Sequence, residues 1–378
     1  MKRIIFIQPI PLTAIKEKMF YIQELMAFGF EVQFWNLAPF QFPGLTLTGE
    51  IKPEYNIDVP SFARFEQMLE QTDIQNTIFI ADLDEGWTNR RLLLRLRQKK
   101  CLLVRMYIHT GIGCNQFTLW QNFIYLLSRT PVNAAKYAVR GLQYKWLMWR
   151  HGFFKNPYAC FISSGSNPHI DIHINHYDWE QFKISAEQPA EVKGKYAVFI
   201  DQYFPLHPEF IRMSATGEAD VEAVVHYRKK MCCLFDRIEQ KYGLKVVIAA
   251  HPQARYDHQT FEGRQIVKYK TANLVNHAQQ VIMHHSASFG YVIMADKPLA
   301  LVTTDHLSSY NLIAKQLKYF SSHFHLPLFN LDHVSPDQVD IRKIAQGLRE
   351  KYIYGYLTTQ GIENKQTANI LCQTLFKL

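Results

Sequence analysis

Short apolar runs alternate along this chain with longer stretches of helical period. The run Arg3–Gln8 is apolar enough to be buried on both faces and predicts a strand that Pro9 and Pro11 end. Residues 13–28 then space Ile15, Met19, Ile22, Leu25 and Met26 as one helix face, and Gly29 supplies the stop. Further strands are expected over 31–37, 76–81, 101–107 and 158–163, with helices over 62–69 and 88–96. Residues 39–60 read as a loop with small strands, and 116–149 as two helices broken near Pro131. Residues 170–176 alternate Ile170, Ile172 and Ile174 with Asp171, His173 and Asn175, as a half-exposed strand does.

The same rhythm restarts after the charged, proline-containing stretch 187–193. Strands are expected over 196–201, 244–250, 265–270, 281–283 and 299–302. Helices are expected over 219–242, 271–278, Phe289–Met294, 308–319, 336–349 and 360–376, with Gly243 closing the first and Thr271 capping the second. This predicts an α/β chain of two Rossmann-like domains facing each other across a cleft. The expected division is 1–190, 191–350, and a last helical segment, 351–378, that packs back on the first domain. A GxGxxG fingerprint is missing, which argues against a dinucleotide site.

Chemistry-bearing residues follow the expected strands. Asp82, Asp84, Glu85 and Gly86 follow the strand over 76–81, and His109, Thr110, Gly111 and Gly113 follow that over 101–107. In the second half, Asp201–Gln202, His251–Pro252, Lys270–Thr271 and the set His284, His285, Ser286 and Ser288 do the same. Open α/β sheets bind ligands beyond the carboxyl ends of their strands, and free N–H groups at a following helix start suit a phosphate. The acidic group has a second reading, as caps on the helix that follows. Likewise His284 and His285 are either ligand contacts or imidazoles satisfied within the core. The histidines His169, His173 and His176 lack zinc spacing, so no metal site is expected.

With 378 residues the chain is long for a single core, in keeping with two domains. Its six cysteines show no CxxC spacing and read as reduced thiols. The N-terminal run is better explained as a first strand than as a signal peptide, and no uncharged apolar run reaches bilayer-spanning length. A cytoplasmic protein, soluble or peripheral on the inner membrane, is the expectation. The formal charge of +9 is unevenly spread, for residues 86–170 contain no Asp or Glu. That segment points to an anionic partner. Aromatic and apolar residues mixed into it, such as Tyr137, Leu142, Trp146, Leu147 and Trp149, favour an anionic membrane or a lipid-linked acceptor over nucleic acid.

A first-half Asp84-Glu85-Gly86, a second-half His251-Pro252 and a downstream loop with Ser286 and Ser288 resemble the motifs of bacterial sialyltransferases and polysialyltransferases. The His-Pro feature is similar to one in bacterial Kdo transferases. The resemblance implies a GT-B fold and an inverting, metal-independent glycosyltransferase with no cofactor. Its CMP-activated donor would carry sialic acid or a related acidic keto-sugar. Its acceptor would be a glycan or lipid-linked oligosaccharide of lipopolysaccharide or capsule. By that resemblance the second acid, Glu85, is the base, and His251 faces the leaving phosphate. Ser286 and Ser288 hold the same phosphate. Asp84 stays open as the alternative base, and Gln202, Pro252, Thr271, His284 and His285 are the remaining candidate donor contacts. Two competing expectations are a UDP-sugar transferase or epimerase of the same fold, and a non-enzymatic protein that binds anionic ligands through charge.

Overall fold

The structure is a computed structural model and describes residues 2–108, 131–167, 169–207, 210–211 and 220–378. The strand-end residues His109, Thr110, Gly111 and Gly113, and the first part of the expected helical stretch 116–149, lie outside the described residues. Among the described residues the strands form two wholly parallel sheets, as two Rossmann-like α/β units require. The first contains β1 (Arg3–Gln8), β2 (Glu31–Asn36), β3 (Asn56–Asp58), β4 (Thr77–Ala81), β5 (Leu102–Met106), β6 (Cys160–Ser164) and β7 (Ile172–Ile174). Its order is β3-β2-β1-β4-β5-β6-β7. The second contains β8 (Tyr196–Ile200), β9 (Lys245–Ala250), β10 (Ile266–Lys268), β11 (Gln280–Met283), β12 (Leu299–Thr303) and β13 (Leu328–Asn330), in the order β10-β9-β8-β11-β12-β13.

Alternation along β1 shows how the first sheet is sealed on both faces. Ile4 and Phe6 join one apolar cluster with Ile78, Ile80 and the helix Thr367–Lys377, through Leu371, Cys372 and Leu375. Ile5 and Ile7 point the other way, into a cluster with Phe79 and Leu92, Leu93 and Leu96 of the helix Arg90–Gln98. A parallel sheet covered on both faces needs such uninterrupted apolar strands, and β4 is buried throughout. In the second unit the helix Val221–Tyr242 buries Tyr227, Met231, Leu234, Phe235 and Ile238 against the sheet. Asp220 accepts from the N–H of Ala223 at its start, and Gly243 ends it at φ +63°, where a Cβ would be strained.

Several boundaries differ from the sequence reading, each for a local reason. Residues 13–28 form two helices, Ala14–Met19 and Ile22–Phe28, because Tyr21 sits at φ +54° between them. Thr271 is not a cap: it is the first helical residue, and Lys270 precedes it without a side-chain cap bond. The expected helix over 336–349 is one turn, Pro336–Gln338, followed later by the helix Gln346–Tyr352.

The division of the chain also falls earlier than 190. Among the described residues, one compact unit runs from the N-terminus to His176 and takes in Thr358–Leu378, while the other is Tyr177–Leu357. The helix Tyr177–Ala186 packs on the helices Thr271–His277 and Phe289–Met294 of the second unit. Residues 187–193 are therefore inside that unit. The Asn273 amide holds them there, donating to Pro189 O at 3.0 Å and accepting from Glu191 N at 2.9 Å.

Candidate functional site

In each sheet the strand order reverses direction beside its first strand, between β1 and β4 and between β8 and β11. Crevices beyond the carboxyl ends of strands at such points are where open α/β sheets take ligands. In the second unit this point lies between the loop from Asp201 and the loop from His284, with His251 on the neighbouring β9. Thr271 follows β10, three strands from β11 and so about 14 Å away. The structure brings Gln202, His251, Pro252, His285, Ser286 and Ser288 to adjacent strand ends and leaves Thr271 at the rim.

The histidine of His251-Pro252 is held in one tautomer. Proline has no N–H, so the first donor after His251 is Gln253, whose N–H turns back to His251 Nδ1 at 3.2 Å. Nδ1 therefore accepts, and the ring proton of the neutral imidazole sits on Nε2. Nε2 has no hydrogen-bond partner among the described residues. Burial, and then His207 at 4.8 Å between ring centroids, lower the His251 pKa to about 4. At neutral pH this residue is thus an uncharged N–H donor at a strand end.

Asp201 fixes the loops around it. It is 3% exposed and accepts from Tyr203 N (2.9 Å), His251 N (3.2 Å) and Tyr256 Oη (3.1 Å). One buried carboxylate thereby ties the end of β8 to the end of β9. It also anchors Tyr203, which sits at φ +57°, a strained conformation for a residue with a Cβ. Burial raises the Asp201 pKa to about 6 against these hydrogen bonds. The sequence signal for Asp201 was its place at the close of a fully buried strand; nothing in the sequence ties it to Tyr256.

The loop after β11 separates the two histidines that the sequence left open. His284 is fully buried, with Nδ1 at 2.6 Å from Val302 O and Nε2 at 2.8 Å from Tyr227 Oη. The carbonyl can only accept, so Nδ1 carries the proton and the tyrosine donates to Nε2. Both nitrogens are spent within the core, and His284 is not placed to contact a donor. His285 is half-buried and meets the Phe320 ring edge-on at 5.3 Å between centroids. Ser286 Oγ accepts from Ser288 N at 3.1 Å, which shapes the loop, while Ser288 makes no side-chain cap to the helix it precedes.

These imidazoles set the acid limit of stability. Burial lowers His251, His284 and His285 from 6.5 to about 4, so the unfolded chain binds protons more readily between those values. Their contribution to stability is whole above about pH 6.5 and is lost as pH falls toward about 4. Asp201 acts in the opposite sense: its pKa rises from 3.8 to about 6, so its contribution is whole below the lower value and is lost as pH rises through the upper. Asp82 and Glu85 are raised as well, by less, and act with Asp201. The three larger imidazole shifts outweigh them, so the thermal midpoint should climb from about pH 4 to about pH 6.5, and Asp201→Asn should steepen the climb. A flat midpoint over that range in scanning calorimetry would refute the burial argument.

In the first unit the strand-end point beside β1 and β4 carries Asp82, Asp84 and Glu85. None caps the next helix, which begins at Arg90 with Asn89 before it and no side-chain cap bond. The acidic loop is instead clamped by Tyr158, whose hydroxyl donates to Leu83 O at 2.5 Å and accepts from Leu83 N at 3.2 Å. Arg105 takes Asp84 as a partner at 2.5 Å and lies 3.6 Å from Asp82. Glu85 has no ion pair within that reach among the described residues. Desolvation raises its pKa, opposed by Arg97 and Arg105. Asp82 is raised too, by desolvation, with Arg105 pulling the other way. Lys16, its pKa lowered by burial, sits in the field of Asp82. Sequence reasoning missed Lys16, Arg105 and Tyr158. An arginine inside the apolar run of β5 was the one visible signal.

The basic segment is partly neutralised by an earlier helix. Arg95 and Lys99 pair with Glu70, and Arg95 also lies 3.4 Å from Glu66. Arg90 and Arg91 stack on Trp87 and Phe62 at 3.8 and 3.9 Å. His173 Nδ1 lies 2.8 Å from Gly165 O, and among the described residues no group of His, Cys, Asp or Glu is placed to hold a metal ion. Among them, too, no helix is long and apolar enough to cross a membrane.

No family model and no curated protein sequence matches the chain. Solved structures of similar architecture include the spinosyn forosaminyltransferase SpnP, at 12% identity and TM-score 0.48, covering 100% of this chain and 98% of that one. MurG of Acinetobacter baumannii aligns at 9% identity and TM-score 0.46 over 100% of both chains. The wall teichoic acid polymerase TagF, as its H548A variant, aligns at 9% identity and TM-score 0.48, covering 100% of this chain and 89% of that one. At that level of likeness no residue role is carried over.

Proposed function

We propose that this chain is a sugar-transferring enzyme that uses a nucleotide-activated sugar, with the donor phosphate held at the strand ends of the second unit. The observation that carries the reading is the locked, uncharged His251, whose Nε2–H has no hydrogen-bond partner among the described residues. A fixed N–H aimed where negative charge develops stabilises a departing phosphate without reorganising. The Ser286 and Ser288 hydroxyls supply further donors at the end of β11, two strands along the same sheet edge. On this reading Glu85 takes the proton from the acceptor hydroxyl. A carboxylate whose pKa is raised is a stronger base, and Glu85 is not tied up by Arg105 as Asp84 is.

The donor follows from the resemblance of the Asp84-Glu85-Gly86 and His251-Pro252 motifs, which supports a CMP-linked acidic sugar. The competing donor is a nucleoside diphosphate sugar, transferred or epimerised. Titration calorimetry with CMP, UDP and dTDP on the same preparation separates the two. CMP should bind at least about tenfold more tightly than UDP, a difference of roughly 1.4 kcal/mol. Preference for UDP or dTDP would overturn the CMP donor and keep the nucleotide site. Failure of all three to bind would overturn the reading itself.

A further inference from the structure

Among the described residues, the helix Pro131–Arg150 is anchored on one side only. Tyr144 and Met148, one turn apart, are buried in the cluster that includes Leu92, Leu93 and Leu96, and Leu147 packs against it. Its other side is apolar as well. Val132, Val139, Leu142, Trp146 and Trp149 recur at heptad-like steps, and Leu142, Trp146 and Trp149 are 69%, 55% and 62% exposed. An ordinary surface helix turns its polar residues outward. Here the only charges are Lys136, Arg140, Lys145 and Arg150, all exposed, and the helix holds no Asp or Glu. Arg150 lies over the Trp146 ring at 5.4 Å, and Phe154, just past the helix end, is 74% exposed beside Lys155.

We infer that this face seats on an anionic bilayer surface. Leu142, Trp146, Trp149 and Phe154 enter the boundary between headgroups and acyl chains, and the four cations meet anionic headgroups. Charge selects the bilayer over a second copy of the chain. Two such stripes paired together would bring cations against cations with no acid on either helix to meet them, whereas heptad pairs rely on opposite charges at their flanks. Tryptophan beside basic residues is the composition of helices that lie in a membrane interface. The inference does not depend on the proposed activity, because binding is read without turnover.

Vesicle flotation of the whole chain tests it, using phosphatidylcholine alone and phosphatidylcholine with roughly 30% phosphatidylglycerol. Anionic vesicles should carry at least about tenfold more protein than neutral ones, and about 0.5 M salt should remove most of that preference. The triple variant L142S/W146S/W149S should lose at least about tenfold in binding while melting with the wild type, since it changes only exposed side chains. K136E/R140E/K145E should lose the preference for anionic vesicles. Binding unchanged by the triple variant would overturn the proposal. So would a dimer in sedimentation velocity that the triple variant dissociates, with no vesicle binding by the wild type.

Discussion

Replacing Glu85 by Gln should reduce sugar transfer by about two to four orders of magnitude in kcat, the usual reach of a positioned base. Nucleotide affinity should hold within about twofold, because the phosphate groups in this reading belong to the second unit. The pH profile is the sharper readout. Desolvation raises the Glu85 pKa above its ordinary value of 4.5, so wild-type kcat should fall as pH drops through that raised value. In E85Q that acid limb should vanish from the residual rate. Asp84→Asn should cost far less, because Asp84 is exposed and its partner is Arg105. Full activity in E85Q, with loss in Asp82→Asn, would move the base to Asp82.

Changing His251 to Ala should lower kcat by about two to three orders of magnitude, as losing one preorganised donor to a developing anion does. The cost should fall mostly on kcat, since the hydrogen bond strengthens as charge builds on the leaving phosphate. Pro252→Ala provides the positioning control. It frees φ at 252 and adds an N–H beside Nδ1, which keeps the tautomer but loosens the turn that positions the ring, so activity should fall without removal of the imidazole. If H251A keeps the wild-type kcat and loses only affinity, His251 binds the nucleotide without assisting departure.

The alternation of buried strands and amphipathic helices made both sheets legible from the sequence, because parallel strands covered on two faces must be apolar throughout. Phe289–Met294 and Arg3–Gln8 match their expected bounds. The misreadings came from backbone and long-range contacts that composition does not carry. Tyr21 adopts a left-handed conformation that splits a helix of continuous period. Asn273, some eighty residues on, captures a stretch that reads as a linker. Within the candidate site, His251-Pro252 was visible as a strand stop. The fate of His284 was not, because it depends on Tyr227 and Val302 arriving from elsewhere. Arg105 and Tyr158 were hidden for the same reason: they act on the acidic loop from β5 and from the segment before β6.

The return of Thr358–Leu378 to the first unit fixes an order of events during synthesis. Asn175 binds Ile362 O and Lys365 O through its amide nitrogen and accepts from Thr358, and Leu371 and Leu375 seal one face of the first sheet. A ribosome therefore makes the second unit whole before the first can close, although it starts the first one earlier. Until residue 358 and its successors emerge, the face of Ile4, Phe6, Ile78 and Ile80 is covered by Phe20, Ile22 and Leu25 but lacks Leu371 and Leu375, and that half-built sheet is the species chaperones would meet. Clipping within 358–378 should accordingly unravel the amino-terminal half and spare the later one.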